Sequence, residues 1–140
     1  MPDEEVFTLK PIGVVRSSLA TRADAPKQGY EGAPEAWVEI APAFAEGLVG
    51  VQVGAEFVLI TWLHLARREV LTVRPRSDPR NPLTGVFATR SPDRPNPVGL
   101  HRVRLLEIEG TTRLRVAPLE AVDGTPVIDL KPVLTASADA

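Results

Sequence analysis

The stretch LHRVRLLEIEGTTRLRVAP, residues 100–118, decides the fold. Apolar and charged residues alternate on both sides of Gly110, which is the period-2 pattern of strands with one buried and one exposed face. The short turn between the two halves predicts a tight hairpin. The alternation changes phase between Leu105 and Leu106, and an extra residue there predicts a β-bulge. A domain built from antiparallel hairpins is therefore expected.

Other parts of the chain have the same strand character. Apolar and β-branched residues dominate five further segments: 8–17, 36–41, 55–66, 69–76 and 125–134. The segment 69–76 follows 55–66 almost at once, which predicts a second hairpin. Helix signals are confined to 41–51. We expect a mainly β fold: one domain over residues 1–140, a small β-barrel of about seven or more mostly antiparallel strands with little helix, and a loose tail from about Thr135.

Composition limits the classes of function. The 140 residues contain no cysteine, which excludes disulfides and Cys-based zinc sites. No apolar run approaches the ~18 residues of a membrane span and the acidic start MPDEEVF is unlike a signal peptide, so we expect a cytoplasmic protein without membrane contact. The chain also lacks a glycine-rich dinucleotide turn, a serine-hydrolase elbow and metal-ligand spacing of His, Asp and Glu.

Arginine is concentrated in residues 74–115. The formal net charge of the chain is −2, yet this segment holds nine arginines against four acidic residues. Such an arginine stripe can bind phosphates or a carboxylate. Arginines that alternate with apolar residues are equally typical of the solvated face of a strand. Outside the loop described next, both interpretations stay open.

The loop RSPDRPNPVG, residues 90–99, carries the clearest sign of a binding site. Prolines follow Ser91, Arg94 and Asn96, and each restricts the preceding residue to extended conformations. A loop ordered in advance loses less conformational entropy on binding. Arg90 and Arg94 can then bind a carboxylate or phosphate through two parallel hydrogen bonds, and Asn96 suits an adenine edge or a ribose. The alternative is a structural corner with solvated arginines.

A second concentration of turn and polar residues is LEAVDGTPVIDLKP, residues 119–132. Asp123 and Gly124 form a turn signal, and Thr125 and Pro126 extend the chain out of it. Two charged residues then alternate with apolar ones on a predicted strand. A plain turn followed by a polar strand face explains the pattern equally well.

The two histidines are far apart in sequence. His64 lies in the apolar segment 55–66, and His101 begins the hairpin quoted above. A lone histidine in such a strand is more often a hydrogen-bonded core or rim residue than a catalytic base. We keep His64 as a candidate base and rank His101 below it.

Together the two loops resemble the signature segments of the TrmO family, also called TsaA-like or YaeB-like proteins. GVFATRSPDRPNPVGL and DGTPVIDLKP carry the resemblance, and PIGVVRSSL, APKQGYEGAPEAWVEI and FAEGLVGVQVGAEFVLITWLH follow the order of the family's N-terminal half, so it covers about residues 8–134. It implies a small β-barrel that uses S-adenosylmethionine to methylate N6 of threonylcarbamoyladenosine beside the anticodon of tRNA. It also implies a homodimer with the cofactor near the subunit interface, and no metal.

The resemblance also implies site residues. Cofactor contacts are expected from Arg90, Ser91, Pro92, Arg94, Asn96, Pro97, Leu100, Asp123, Gly124, Thr125 and Pro126. Substrate contacts are expected from Gln28, Arg74, Arg76 and Arg102. N6 of the modified base is a poor nucleophile, so a general base is needed. His64 and Asp129 are the candidate bases. Lys131 completes the expected catalytic group, and either Lys131 or an arginine is expected to anchor the threonine carboxylate.

The chain departs from the family pattern at three points. Glu120 follows Leu119 where an aspartate is expected, Val133 replaces the tyrosine of an expected KPY, and the C-terminal domain of longer members has no counterpart in these residues. The barrel would then have to bind tRNA through its arginine stripe. Two alternatives follow: the same barrel methylating a different, smaller acceptor, or a non-catalytic barrel that binds S-adenosylmethionine or RNA.

Overall fold

The computed structural model describes residues 5–26 and 32–134, which form eight strands and four short 3-10 helices. The strands are β1 (Gly13–Arg16), β2 (Ala36–Ile40), β3 (Glu56–Trp62), β4 (Thr72–Val73), β5 (Thr84–Gly85), β6 (Val98–Glu109), β7 (Arg113–Ala117) and β8 (Pro126–Pro132). The 3-10 helices are Arg22–Asp24, Pro42–Leu48, Pro75–Ser77 and Val86–Ala88. The predicted mainly β fold with little helix is confirmed. No helix in the described ranges is long and apolar enough to cross a membrane.

Six of the strands form one antiparallel sheet that closes on itself. Their order is β1-β2-β7-β6-β3-β8, and β8 pairs with β3 on one side and with β1 on the other. The closing contact with β1 joins Gly13 to Val127 and Val14 to Pro126. The short strands β4 and β5 pair only with each other. Closure gives every strand of the main sheet a partner on both sides.

The hairpin predicted for residues 100–118 is confirmed as β6 and β7. Ile108 pairs with Leu114, and the register shifts between Leu105 and Glu107, so Leu106 is the extra residue of the expected bulge. Buried and exposed residues alternate along both strands. The local pattern was sufficient here because both partners and the turn lie within a single stretch of sequence.

The second predicted hairpin, 55–66 with 69–76, is wrong. Only Thr72–Val73 of the later segment is a strand, and it pairs with β5. Both edges of β3 are occupied by longer partners: all seven of its residues pair with β6, and five pair with β8. These ladders make more hydrogen bonds and bury more apolar surface than a two-residue strand can.

The inward side chains of the closed sheet make one apolar core. Its fully buried members include Val15, Val38, Leu59, Val103 and Leu114. The segment that joins β7 to β8 also packs against this core, through Leu119 and Ala121. Complete burial of each large aliphatic side chain contributes about 1.5–3 kcal/mol, so the sheet and this connecting segment form one rigid base for the loops at its end.

Candidate functional site

The two loops singled out in the sequence lie at the same end of the closed sheet. We call residues 89–97 the proline loop and residues 118–125 the Asp123 turn. The proline loop leads into β6, where Gly99 pairs with Thr61 of β3, and the Asp123 turn leads into β8, where Val127 pairs with the same Thr61. Neighbouring strands lie about 4.8 Å apart. The two loops therefore leave the sheet within about 10 Å of each other, on either side of β3.

Arg94 braces the proline loop from within. Its Nε donates to the Ser91 carbonyl at 2.7 Å. Its Nη2 donates at 2.6 Å to the carbonyls of both Val86 and Thr89. Two of its three guanidinium nitrogens are thus bound to the loop that the residue belongs to. This geometry is that of a structural brace, whereas the sequence placed Arg94 among the residues that contact the cofactor.

Asp93 ties the proline loop to the rest of the molecule. Its carboxylate accepts a hydrogen bond from the Arg67 N–H at 2.8 Å and one from the guanidinium of Arg22 at 3.1 Å. Burial alone would raise the pKa of Asp93, but these two hydrogen bonds and the two positive charges outweigh it and hold the pKa below its usual value. Asp93 is therefore a charged anchor in the folded state.

Arg68 fixes the tip of the loop. Its guanidinium lies over the Trp62 ring, 5.1 Å from the centroid, and donates to the Pro95 carbonyl at 2.7 Å. It also donates to the Asn96 side-chain oxygen at 3.1 Å. The Asn96 side-chain NH2 makes no hydrogen bond within the described ranges, so both its donors are available to a ligand.

Arg90 is the arginine of the proline loop that remains available. Its side chain is exposed and, within residues 5–26 and 32–134, makes no hydrogen bond or ion pair. Ser91 is half-buried and donates from its hydroxyl to the Asp93 carbonyl at 3.4 Å, while the buried Pro97 accepts from the Leu63 N–H at 2.8 Å. Pro92, which follows Ser91 in the sequence, is also half-buried.

The Asp123 turn is held mainly by backbone hydrogen bonds. Gly124 has φ = 85°, a left-handed conformation that favours glycine, and its N–H donates to Val15 at 2.8 Å. The Thr125 side chain is buried and donates to the Val122 carbonyl. Pro126 follows as the first residue of β8. These contacts fix the shape of the turn before any ligand binds.

Asp123 is exposed at the edge of an open cleft of about 350 Å³. Its Oδ1 accepts a hydrogen bond from the Ser17 N–H at 3.1 Å. Arg16, Trp37 and Arg115 also line this cleft. No residue of the proline loop does, so the cleft by itself is not the site predicted from the two loops.

The predicted catalytic residues are not brought to one point. His64 lies two residues beyond β3, exposed at the end of the sheet where the two loops emerge. Asp129 and Lys131 lie along β8, opposite Ile60 and Val58 of β3. Val58 lies four positions before the end of β3, so at about 3.3 Å per residue Lys131 is roughly 13 Å from the end of the sheet beyond which His64 lies. His64 alone lies beside the loops.

The outer face of the sheet carries much of the predicted arginine stripe. Arg102 pairs with Glu56 at 2.6 Å, and this hydrogen bond is the main reason that the pKa of Glu56 lies below its usual value. Arg113 does the same for the pKa of Glu39. The paired groups on this face are five arginines and five glutamates: Arg16, Arg102, Arg104, Arg113 and Arg115 with Glu35, Glu39, Glu56, Glu107 and Glu109. This face therefore has no excess positive charge for phosphate binding.

Positive charge accumulates instead between β3 and β6. We call residues 63–97 the excursion; it holds seven arginines and three acidic residues. Two of the predicted substrate contacts lie here: Arg74, which donates to the Asn81 carbonyl at 2.8 Å, and the exposed Arg76. Gln28, also predicted to contact substrate, lies outside the described residues. Leu100 is exposed on the outer face of β6, opposite Ile60.

Residues 14–140 match the family described as tRNA-methyltransferase O N-terminal domain. The chain belongs to the TrmO family. The resemblance drawn from the two loops is thereby confirmed. A TrmO crystal structure from Pseudomonas aeruginosa is similar with a TM-score of 0.75 and 31% identity, and the match covers 100% of this chain and 60% of that one. The chain thus spans about 60% of the length of that TrmO structure.

Two curated relatives match this chain over most of their own length. A protein of Methanothermobacter thermautotrophicus named a probable S-adenosyl-L-methionine-binding protein is 46% identical over 132 residues, which is 94% of this chain and 93% of the relative. A protein of Archaeoglobus fulgidus named an S-adenosyl-L-methionine-binding protein is 43% identical, over 88% of this chain and 86% of the relative.

Sequence reasoning missed three residues that support the TrmO-type loops. Arg22, Arg67 and Arg68 hold the proline loop from outside it. Arg67 and Arg68 form a basic pair directly after the apolar segment 55–66, and that pair is the only signal in the sequence that could have drawn attention to them. Their partners follow about 26 residues later, a separation that periodicity does not reveal.

Proposed function

We propose that this TrmO-family chain is an S-adenosylmethionine-dependent methyltransferase that methylates N6 of threonylcarbamoyladenosine beside the anticodon of tRNA. The observation that carries the proposal is the convergence of the proline loop and the Asp123 turn on Thr61 of β3. Both loops belong to the segments that resemble the family. The closed sheet serves as the barrel scaffold that presents them, and the protein works in the cytoplasm.

The residues of the two loops fit the chemical groups of S-adenosylmethionine. Its methionine carboxylate needs a cation, and Arg90 presents a guanidinium with no partner in the described part of the chain. Its adenine and ribose need hydrogen-bonding groups, which Asn96 and Asp123 provide. When bound, the cofactor supplies an electrophilic methyl group on a sulfonium sulfur.

His64 takes the proton from N6 as the nitrogen becomes methylated. Its ring is exposed at the end of β3, between the two loops, and makes no hydrogen bond with the described residues. The imidazole in its neutral form can act as a general base there. The loops would contribute mainly alignment, by holding the cofactor and the acceptor nitrogen in a reactive arrangement.

The partners are a second copy of the chain and tRNA. Phe87, 81% exposed, and Leu100, 48% exposed, lie next to the proline loop together with Val98. Exposed apolar side chains can mark an association surface, and we assign these three to the homodimer. The arginine-rich excursion then faces the tRNA, because the arginines on the outer face of the sheet are neutralised by glutamates.

A second candidate is the same methyl transfer to a smaller acceptor. The charge balance of the outer face favours it, since that face offers little attraction for an RNA backbone. In this case the cofactor site is unchanged, and the acceptor binds between the two loops without contacts to residues 63–88 of the excursion.

Two measurements test the proposed function. Calorimetric titration with S-adenosylmethionine should show binding to the wild-type protein, and Arg90→Ala should weaken it about 10- to 100-fold, as for the loss of a charge-assisted hydrogen bond. Arg104→Ala is the matched control, because Arg104 is paired with Glu56 on the outer face. Mass spectrometry of nucleosides should then show a methyl added to threonylcarbamoyladenosine in tRNA. A wild-type protein that neither binds the cofactor nor methylates would overturn the proposal, whereas binding without tRNA methylation supports the smaller acceptor.

A further inference from the structure

A buried chain of three polar side chains runs beneath the candidate site. The Thr61 hydroxyl of β3 lies 2.7 Å from Nε2 of His101 on β6. Nδ1 of His101 lies 2.5 Å from the carboxylate of Glu120 in the Asp123 turn. Thr61 and His101 are 0% and 4% exposed, and the Glu120 side chain is 14% exposed. We call this arrangement the polar chain.

The direction of each hydrogen bond follows from the chemistry of the groups. An ionised carboxylate only accepts, so Nδ1 of His101 is the donor in its hydrogen bond with Glu120. In the neutral imidazole Nε2 then accepts, and the Thr61 hydroxyl donates to it. Every buried side-chain polar atom in the described part of the chain has a partner, so the polar chain is fully satisfied.

Stability alone does not explain the polar chain. Burying polar groups costs free energy even when they are paired, and apolar side chains of similar volume often serve a core equally well. The residues around it are aliphatic: Leu59, Val103 and Val127 occupy neighbouring inward positions. What a paired polar chain adds is a fixed relative position of the elements that it joins.

The polar chain joins the two loops of the candidate site. Glu120 lies three residues before Asp123. At its other end the polar chain lies against Gly99, two residues after the end of the proline loop. A Cβ at Gly99 would lie 2.8 Å from Nε2 of His101 and would also overlap the Thr61 hydroxyl. The backbone that leaves the proline loop is therefore packed directly on the polar chain.

We propose that Thr61, His101 and Glu120 are positioning residues that hold the Asp123 turn and the proline loop at the spacing required by a single ligand. They lie beneath the site and do not touch the ligand. This inference rests on the proposed function, because that function makes both loops parts of one cofactor site.

Amide hydrogen exchange tests the linkage without any ligand. Glu120→Ala removes the acceptor of Nδ1, and it should speed exchange of the Gly124 amide in the turn and of the Arg94 amide in the proline loop, each tenfold or more. Glu120→Gln keeps an acceptor oxygen and should restore most of the protection. Glu109→Ala, which removes an exposed partner of Arg113, is the control and should change neither amide. Faster exchange confined to the Asp123 turn would overturn the linkage.

A double-mutant cycle tests its role in binding. Effects of distant, independent residues on binding free energy usually add. If the polar chain sets the position of Arg90 relative to the turn, the affinity lost in Glu120→Ala/Arg90→Ala is smaller than the product of the two single losses. Purely multiplicative losses, or wild-type affinity in Glu120→Ala, would refute the positioning role. A wild-type protein that does not bind S-adenosylmethionine would instead refute the proposed function, and the exchange experiment would still decide whether the loops are linked.

Discussion

Replacing Arg94 should open the proline loop and leave the sheet intact. Arg94 donates to the carbonyls of Val86, Thr89 and Ser91 through two guanidinium nitrogens. A lysine keeps the positive charge but lacks the planar fork, and so cannot bridge these carbonyls. Arg94→Lys is therefore expected to behave much like Arg94→Ala.

The size of the effect follows from which carbonyls lose their partners. The Val86 carbonyl keeps the Thr89 N–H and the Thr89 hydroxyl as donors. The carbonyls of Thr89 and Ser91 have no other donor in the described part of the chain. A hydrogen bond from a charged group contributes about 1.5–3 kcal/mol, and partial exposure places these two at the lower end. We expect the free energy of local opening to fall by about 2–3 kcal/mol, which corresponds to a roughly 30- to 150-fold increase in amide exchange.

Hydrogen exchange followed by NMR resolves this effect. The Ser91 amide, bound to the Thr89 hydroxyl, and the residue 94 amide, bound to the Arg67 carbonyl, report on the loop. Amides of β2 report on the sheet and should keep their wild-type rates. Arg90→Ala is the control in the same loop and should leave all these rates unchanged. Wild-type exchange in Arg94→Lys, or equal acceleration in loop and sheet, would refute the assignment of Arg94 as a brace.

Three further predictions follow from other contacts. Gly99→Ala should lower the free energy of unfolding by about 1–3 kcal/mol in urea titrations, because the added Cβ would overlap the polar chain; an unchanged midpoint would contradict this. Because the pKa of Asp93 is lower in the folded protein, its contribution to the stability of the proline loop is complete above its unfolded pKa of about 4. That contribution is lost as the pH falls through the folded pKa. Protection of the proline-loop amides from hydrogen exchange should therefore decrease in acid. In Asp93→Asn this protection should be weaker at neutral pH and should not change with pH over the same range. Arg102→Ala should change the free energy of unfolding by less than about 1 kcal/mol and leave tRNA affinity unchanged, because its pair with Glu56 is exposed. A clear loss of tRNA binding in this variant would show that the outer face of the sheet contacts tRNA.

The sequence predicted the pairing of those strands that lie close together in the chain. The hairpin of β6 and β7, with its bulge at Leu106, follows from alternation and one turn. The pairing of β4 was wrong because a two-residue strand has too little pattern to identify its partner. Its partner β5 was not predicted at all, since Thr84–Gly85 resembles a turn.

The sequence identified the two loops of the candidate site but not the contacts that their residues make. Sequence treated Arg90 and Arg94 alike, because both lie among prolines, and only the folded loop shows that Arg94 turns back onto its own carbonyls. In the same way, the glutamates that neutralise Arg102 and Arg113 come from other strands. The conformation of the loop decides the first question and the registration of distant strands decides the second, and composition carries no information about either.

The excursion begins and ends at neighbouring positions. Trp62, the last residue of β3, pairs directly with Val98, the first residue of β6. Residues 63–97 are thus an insertion at the tip of a β3–β6 hairpin, and a tight turn could in principle replace them without disturbing the ladder beneath. Residues 63–88 of this insertion can therefore diversify with the acceptor, provided that His64 and the proline loop at its end are kept, while the sheet and the Asp123 turn are inherited unchanged. Grafting the corresponding segment from a longer relative onto this small scaffold is a direct route to redesigned specificity.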